Sequence, residues 1–401
     1  MNYIIQKLKD ELHQELTGNI LPFWLHHTPD REHGGFIGHI DFEGAPSPRA
    51  NKGSVLNARI LWTFSSSFRI LKQPEYLASA DRAYDYIKNN FLDREWGGVF
   101  WKLDYQGNPL DPKKQIYAQA FTIYGMTEYY RATGNQEALD IAVGLYLDIE
   151  KHSFDPVKNG YFEAFTRNWE LEGDLRLSEK DLNESKTMNT HLHILEAYTN
   201  LYRVWENSEL KVQLRNLVYL FTNYFLNESG HLNLFFDEDW NLKSDLVSFG
   251  HDIECSWLLH EAADVLDDED LKEQCGTLAV KIARQNMKGL DNDGGLFYEY
   301  FPTDERWDTD KHWWPQAEAI VGYYHAHRIS GLPEFLDAAM QSWRFIQNYM
   351  IDKENGEWHW RVDKQGRPYF IEEKAGFWKC PYHNSRACLE VISSPFNYSL
   401  P

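Results

Sequence analysis

The chain has 401 residues, with 40 Lys+Arg against 61 Asp+Glu and a formal charge of −21. No basic stretch interrupts that acidity, which excludes nucleic acid and anionic membrane surfaces as partners. Length alone leaves open two average domains or one large toroid or barrel.

The first segment, Met1 to Leu21, is amphipathic and carries Lys7, Lys9, Asp10, Glu11 and Glu15. It has no uninterrupted apolar region, and no run of about eighteen apolar residues follows, so a soluble, cytoplasmic protein is expected. Cys255, Cys275, Cys380 and Cys388 lack C-x-x-C spacing, and Cys255 and Cys388 sit in helical, apolar patterns. They read as buried thiols of a reducing compartment. Aromatics supply 15% of the chain, including 15 Trp and 23 Tyr, and such ring faces stack on sugars as well as filling cores.

A glycine followed by alternating aromatic and polar residues recurs at Gly34, Gly97, Gly160, Gly230, Gly294 and Gly356, at intervals of 63, 63, 70, 64 and 62. A period of this size marks an array of supersecondary units. After each glycine hairpin comes a polar loop and then a helix with a polar first turn. Aligning those helices puts Asn57-Ala-Arg59, Tyr117-Ala-Gln119, Asn189-Thr-His191, Asp252-Ile-Glu254, Gln316-Ala-Glu318 and Asn384-Ser-Arg386 in one column.

Second helical patterns lie between, at Pro74 to Phe91, Gln136 to His152, Leu210 to Phe225, Glu269 to Met287 and Glu334 to Met350. Two helices per unit and six units predict an all-α fold of twelve helices, an (α/α)6 barrel of helical-hairpin repeats with short β-hairpin loops. In it residues 1–401 form a single catalytic domain and the inner-helix starts converge on one funnel. An open helical solenoid is the competing arrangement, but six units suffice to close a ring and no capping repeat is evident.

Convergence makes one constellation of Arg59, Tyr117, Asn189, His193, His251, Glu254, Trp313 or Trp314, Glu318, Trp378, His383 and Arg386. His191 and His193 lie about 200° apart on their helix, so only one of them looks into a given cavity. His251 and Glu254 are three apart on one face, as are His383 and Arg386. The acid is expected to raise one imidazole pKa and the guanidinium to lower the other, which is the direction for an acid and base pair.

No G-x-G-x-x-G, P-loop or G-x-S-x-G occurs, and His260-Glu-Ala-Ala-Asp264 lacks the second histidine of a zinc helix. No nucleotide, covalent nucleophile or metal is therefore expected. An (α/α)6 glycoside hydrolase using Glu254 and Glu318 as its two carboxylates is the rival.

The pieces Lys186-Thr-Met-Asn-Thr-His-Leu-His-Ile-Leu-Glu-Ala-Tyr, Gly250-His-Asp-Ile-Glu-Cys, Lys311-His-Trp-Trp-Pro-Gln-Ala-Glu and Trp378-Lys-Cys-Pro-Tyr-His carry a resemblance that runs end to end. The chain resembles the N-acylglucosamine 2-epimerase superfamily, and within it most closely the members acting on β-1,4-linked disaccharides. The resemblance implies cofactor-free interconversion of glucose and mannose at the reducing end of cellobiose. A mannobiose or free mannose 2-epimerase is the alternative within the same family.

It further implies that His251 and His383 are the acid/base pair and His193 a third essential histidine. Arg59, Tyr117, Asn189, Glu254 and Trp314 would hold the reducing-end sugar, with Glu318 in an orienting role, while Ser178, Asp181 and Trp378 would contact the second sugar. Inverting C2 through the enediol of a ring-opened aldehyde suits imidazoles near pKa ~6.5 and needs no hydride carrier. A small disaccharide is the expected partner and a monomer the expected state.

Overall fold

The computed structural model describes residues 2–395, so the ends of the expected 1–401 unit, residue 1 and residues 396–401, lie outside the described residues. Six helices form an inner ring: α3 (Ser54–Leu71), α5 (Ile116–Thr133), α7 (Met188–Tyr202), α9 (Phe249–Val265), α11 (Trp313–Ser330) and α13 (Tyr382–Ser393). Each packs on the next, and α13 packs back on α3, so the ring is closed. These helices are buried on all sides, as residues 252–259 of α9 illustrate, because they touch both ring neighbours and an outer helix.

The outer layer consists of α4 (Pro74–Tyr86), α6 (Gln136–His152), α8 (Ser208–Leu220), α10 (Glu269–Asn286) and α12 (Pro333–Phe345), each packed on the inner helix before it. The sixth outer member is the N-terminal α1 (Asn2–Glu15), continued through a wide turn into α2 (Leu21–His26), and α1 packs on α13. Chain start and chain end thus complete one hairpin unit. That pairing closes the ring where a solenoid would stay open.

The glycine motifs form tight bridges directly after the outer helices, such as Leu92 with Val99 and Leu290 with Leu296. All six glycines have φ between 77° and 90°, a region that costs a side-chain-bearing residue energy. A Cβ at Gly294 would also meet the Gln341 carbonyl oxygen at 2.5 Å. Short strands then link neighbouring units. Lys52–Gly53 pairs with Lys102–Leu103 of the next hairpin, Lys186–Thr187 with Phe235–Phe236, and Lys311–His312 with Arg361–Val362.

Buried lysines reinforce these links. Lys52 pairs with Asp30 at 2.7 Å, Lys114 with Asp93 at 2.9 Å, Lys186 with Asp155 at 2.8 Å, Lys311 with Asp291 at 2.9 Å and Lys379 with Glu357 at 2.6 Å. Each ties the approach to an inner helix to a glycine hairpin, and the fourth repeat has Val247 at the corresponding place. At the opposite mouth the ring is laced by Arg69 and Arg131 on Glu128, at 2.5 and 2.7 Å, with Arg131 also on Asn200 at 2.8 Å. No helix among the described residues is long and apolar enough to cross a membrane.

Candidate active site

The polar column at the inner-helix starts divides into two sets. One set faces outward and locks the glycine hairpins. The Gln119 amide accepts from Val99 N–H at 2.7 Å and donates to its carbonyl at 3.0 Å, and Gln316 does the same with Leu296 at 2.7 and 2.8 Å. Asp252 accepts from Leu232 N–H at 2.8 Å, His191 Nε2 accepts from Tyr161 N–H at 2.9 Å, and Asn384 donates to Glu357 at 2.8 Å.

This pattern corrects the alignment read from sequence. Gln119 and His191, not Tyr117 and Asn189, stand level with Asp252, Gln316 and Asn384. In five repeats a buried lysine precedes this helix position by five (52/57, 114/119, 186/191, 311/316, 379/384), a signal that would have fixed the register, although Asn57 bonds only the Gly53 carbonyl and no hairpin.

His191 is therefore a hairpin lock. Its Nε2 accepts from Tyr161, so its Nδ1 carries the proton that meets the Thr187 carbonyl at 2.7 Å. Burial pushes its pKa down to about 3. A buried neutral histidine that protonates only when unfolded costs stability as pH falls below the unfolded value of ~6.5, here about 2 kcal/mol at pH 5. Because Gln119 and Gln316 fill the same place, His191→Gln is expected to fold with a similar midpoint at pH 7.5 and a shallower loss of midpoint between pH 7.5 and 5. Differential scanning calorimetry at the two pH values checks this; an unchanged slope would mean that His191 does not titrate on unfolding.

The second set, two residues further along each inner helix, faces the barrel axis: Arg59, Phe121, His193, Glu254, Glu318 and Arg386. Its centre is Arg386, fully buried on α13. Arg386 Nη2 donates to Glu254 at 2.6 Å and to Glu318 at 2.7 Å, and Nη1 donates to Glu196 and meets the Tyr382 hydroxyl. Glu318 also accepts from His383 Nδ1 at 2.7 Å and from the Trp257 indole at 3.1 Å. His193 Nδ1 lies 2.9 Å from Glu196 Oε2, and Tyr382 donates its hydroxyl proton to Glu196 Oε1.

The electrostatics differ from the sequence expectation. Glu254 does not serve His251, whose Nδ1 instead meets Ser248 Oγ at 2.8 Å. Arg386 reaches Glu254 across the barrel from α13, and a guanidinium is the better partner for a buried carboxylate. Burial lowers His251, with His193 adding to the effect and Glu318 opposing it, and burial lowers His383 despite Glu318. Both imidazoles are neutral at pH 7. Burial and the adjacent Glu318 raise Glu254 to about 8, whereas Arg386 and His383 hold Glu318 below the usual carboxylate range although burial opposes them.

His251 and His383 sit at the same position of their repeats, one residue before the lock residues Asp252 and Asn384. Both rings pack on Trp314, with centroids at 4.7 and 5.6 Å. Tyr117 stands edge-on to His193 at 4.9 Å and receives a hydrogen bond from Arg59 Nη2 at 2.8 Å. Trp378 reaches Tyr117 at 5.9 Å. Asn189 Oδ1 and Arg59 Nε are buried with no protein partner, and the Arg59 guanidinium lies over the Tyr117 ring, which leaves hydrogen-bonding capacity there. Trp313, the other tryptophan of its pair, is buried against Trp360 at 4.7 Å.

The Ser178 and Asp181 loop is folded on itself, Asp181 accepting from Ser178 N–H at 2.8 Å and Oγ at 3.0 Å. It approaches the funnel through Tyr298, whose pKa is raised by burial and by Glu299 and Asp181, and whose ring meets Trp314 at 6.3 Å.

Glu254, Glu318 and His383 offer ligand atoms within 4.8 Å of one another. The positive charge they surround is Arg386 of the chain itself. Glu196, Tyr382 and Ser248 were not singled out from sequence. Glu196 follows His193 by three residues on the same face, and that spacing was the available signal.

The profile of the N-acylglucosamine 2-epimerase family matches residues 35–387. The cellobiose 2-epimerase of Bacteroides fragilis is 53% identical over 96% of this chain and 98% of its own length. The cellobiose 2-epimerase of Ruminococcus albus is 43% identical over 96% and 98%. Among solved structures, the cellobiose 2-epimerase of Bacillus thermoamylovorans superposes with a TM-score of 0.93 at 43% identity, covering 96% of this chain and 99% of that one.

Proposed function

The chain belongs to the N-acylglucosamine 2-epimerase family and is a carbohydrate epimerase, and from that premise we propose that it inverts C2 of the reducing-end sugar of β-1,4-linked disaccharides, converting cellobiose to glucosyl-mannose. The observation that carries this reading is the pair His251 and His383, neutral imidazoles held on one indole at the funnel floor.

His383 donates Nδ1–H to Glu318, so its Nε2 lone pair is free to act as a base. One neutral imidazole removes the C2 proton of the ring-opened aldehyde, and the other, which takes up a solvent proton once the negatively charged enediolate lies beside it, returns that proton to the opposite face. His193 assists ring opening or polarises the carbonyl. Asn189 Oδ1 and Arg59 Nε, both without protein partners, would bind hydroxyls of the reducing-end sugar together with Tyr117 and Trp314. Trp378, with Ser178 and Asp181, would contact the second ring, which favours cellobiose over free glucose or mannose. Closure of the inner ring on itself supports a monomer, since the core needs no second copy.

The glycosidase reading is weaker. Glu254 and Glu318 are 1% and 0% exposed and share one guanidinium nitrogen, so neither is placed to attack a sugar or activate water. Incubation with cellobiose in D₂O tests both. Deuterium at C2 of both epimers, with no glucose released, is expected. Stoichiometric glucose release would establish hydrolysis, and unlabelled product would exclude proton exchange at C2.

A further inference from the structure

We propose that Glu196 is a positioning residue for this reaction, setting the tautomer of His193 and joining it to the His383 side of the site. The proposal deepens the epimerase reading and rests on it. Glu196 lies on α7, is 2% exposed, and divides its two oxygens. Oε2 faces His193 Nδ1 at 2.9 Å, and Oε1 accepts from Arg386 Nη1 and the Tyr382 hydroxyl.

Arg386 passes the link to Glu318, and Glu318 passes it to His383 Nδ1 at 2.7 Å. α7 and α13 stand on opposite sides of the six-helix ring, so Glu196 and Arg386 form a strut across the barrel that meets α9 and α11 at Glu254 and Glu318. The chemistry of each group fixes its role. A guanidinium only donates and a carboxylate only accepts. Glu196, held by Arg386 and Tyr382, therefore accepts from His193, which places that proton on Nδ1 and leaves Nε2 as the lone pair.

Glutamine has one accepting oxygen where glutamate has two. In Glu196→Gln the amide must turn its NH₂ toward either His193 or Arg386, so one contact becomes donor against donor or the imidazole must change tautomer. By analogy with the loss of a histidine-orienting carboxylate, the expected fall in kcat is at least roughly tenfold with KM little changed. Removing a carboxylate from beside the imidazole also moves the acid limb of the kcat/KM profile to lower pH. A merely structural role would move neither the limb nor the tautomer.

The test combines cellobiose kinetics of the full chain with ¹⁵N NMR of histidine-labelled wild type and Glu196→Gln. Expected are a neutral Nδ1–H tautomer for His193 in wild type and the kinetic changes in the variant. A wild-type His193 protonated on Nε2 overturns the proposal, as does a variant with kcat within twofold and an unshifted acid limb. If the variant does not fold, the wild-type tautomer decides. If wild type leaves cellobiose unchanged, the epimerase reading fails by itself, and the tautomer still decides what Glu196 does.

Discussion

His383→Ala and His251→Ala are each expected to slow epimerisation of cellobiose by about 10²- to 10⁴-fold, the range lost when one positioned acid or base is removed. The fold should survive both changes. Without the His383 imidazole, Glu318 keeps Arg386 at 2.7 Å and Trp257 at 3.1 Å. Without the His251 imidazole Ser248 loses a hydrogen-bond partner and Trp314 one ring contact. Thermal midpoints should therefore stay within a few degrees of wild type.

The two variants should also differ from each other. Each retains one imidazole, so each should still exchange the C2 hydrogen with solvent in one epimer, and the favoured epimer should be opposite in the two. Kinetics in D₂O with each pure epimer measures this. A variant that epimerises within a few-fold of wild type would show that its histidine only fills space. If both unfold, the histidines are part of the core.

Arg386→Met should have the largest effect on stability. The guanidinium touches three buried carboxylates, Glu196, Glu254 and Glu318. Breaking one buried pair costs about 3–5 kcal/mol, because a charge is left without compensation; that corresponds to several degrees of midpoint in a chain of this length.

The pH dependence gives the signature. In the variant the three acids face one another without their cation, which raises Glu196 and Glu254 further and brings Glu318 above its unfolded value as well. Stability from such groups is present at low pH and lost as pH rises. Arg386→Met should thus regain part of its midpoint between pH 7.5 and 5.5, where wild type, with its buried neutral histidines, loses some. Calorimetry at both pH values distinguishes the cases; a midpoint near wild type at pH 7.5 would show that Arg386 does not offset the burial of these acids.

The architecture was legible because it is periodic. Six glycine hairpins at nearly equal spacing, each followed by a helix with a polar start, leave few alternatives to a six-unit ring, and the amphipathic N-terminal segment supplies the outer helix that pairs with α13. The positions of His251 and His383 one residue ahead of Asp252 and Asn384 were readable for the same reason. Register within the repeat was harder. Tyr117 and Asn189 are polar residues in a helix's first turn, like Gln119 and His191, and local pattern does not say which of two adjacent faces meets a hairpin backbone. Only the paired backbone of Val99 and Tyr161 settles it.

Sequence by itself determined the repeat, the helix count and the side of the barrel on which the chemistry gathers, since these follow from local periodicity and from polar groups that an apolar helix would otherwise not carry. Tertiary structure alone decided who partners whom. Glu254 lies three residues from His251 yet binds Arg386, which is 132 residues away, and Glu318 pairs with His383, 65 residues away. Buried charges settle where the closed ring minimises their desolvation, and that minimum joins side chains from four helices. A helix read alone offers each of them only its own neighbours.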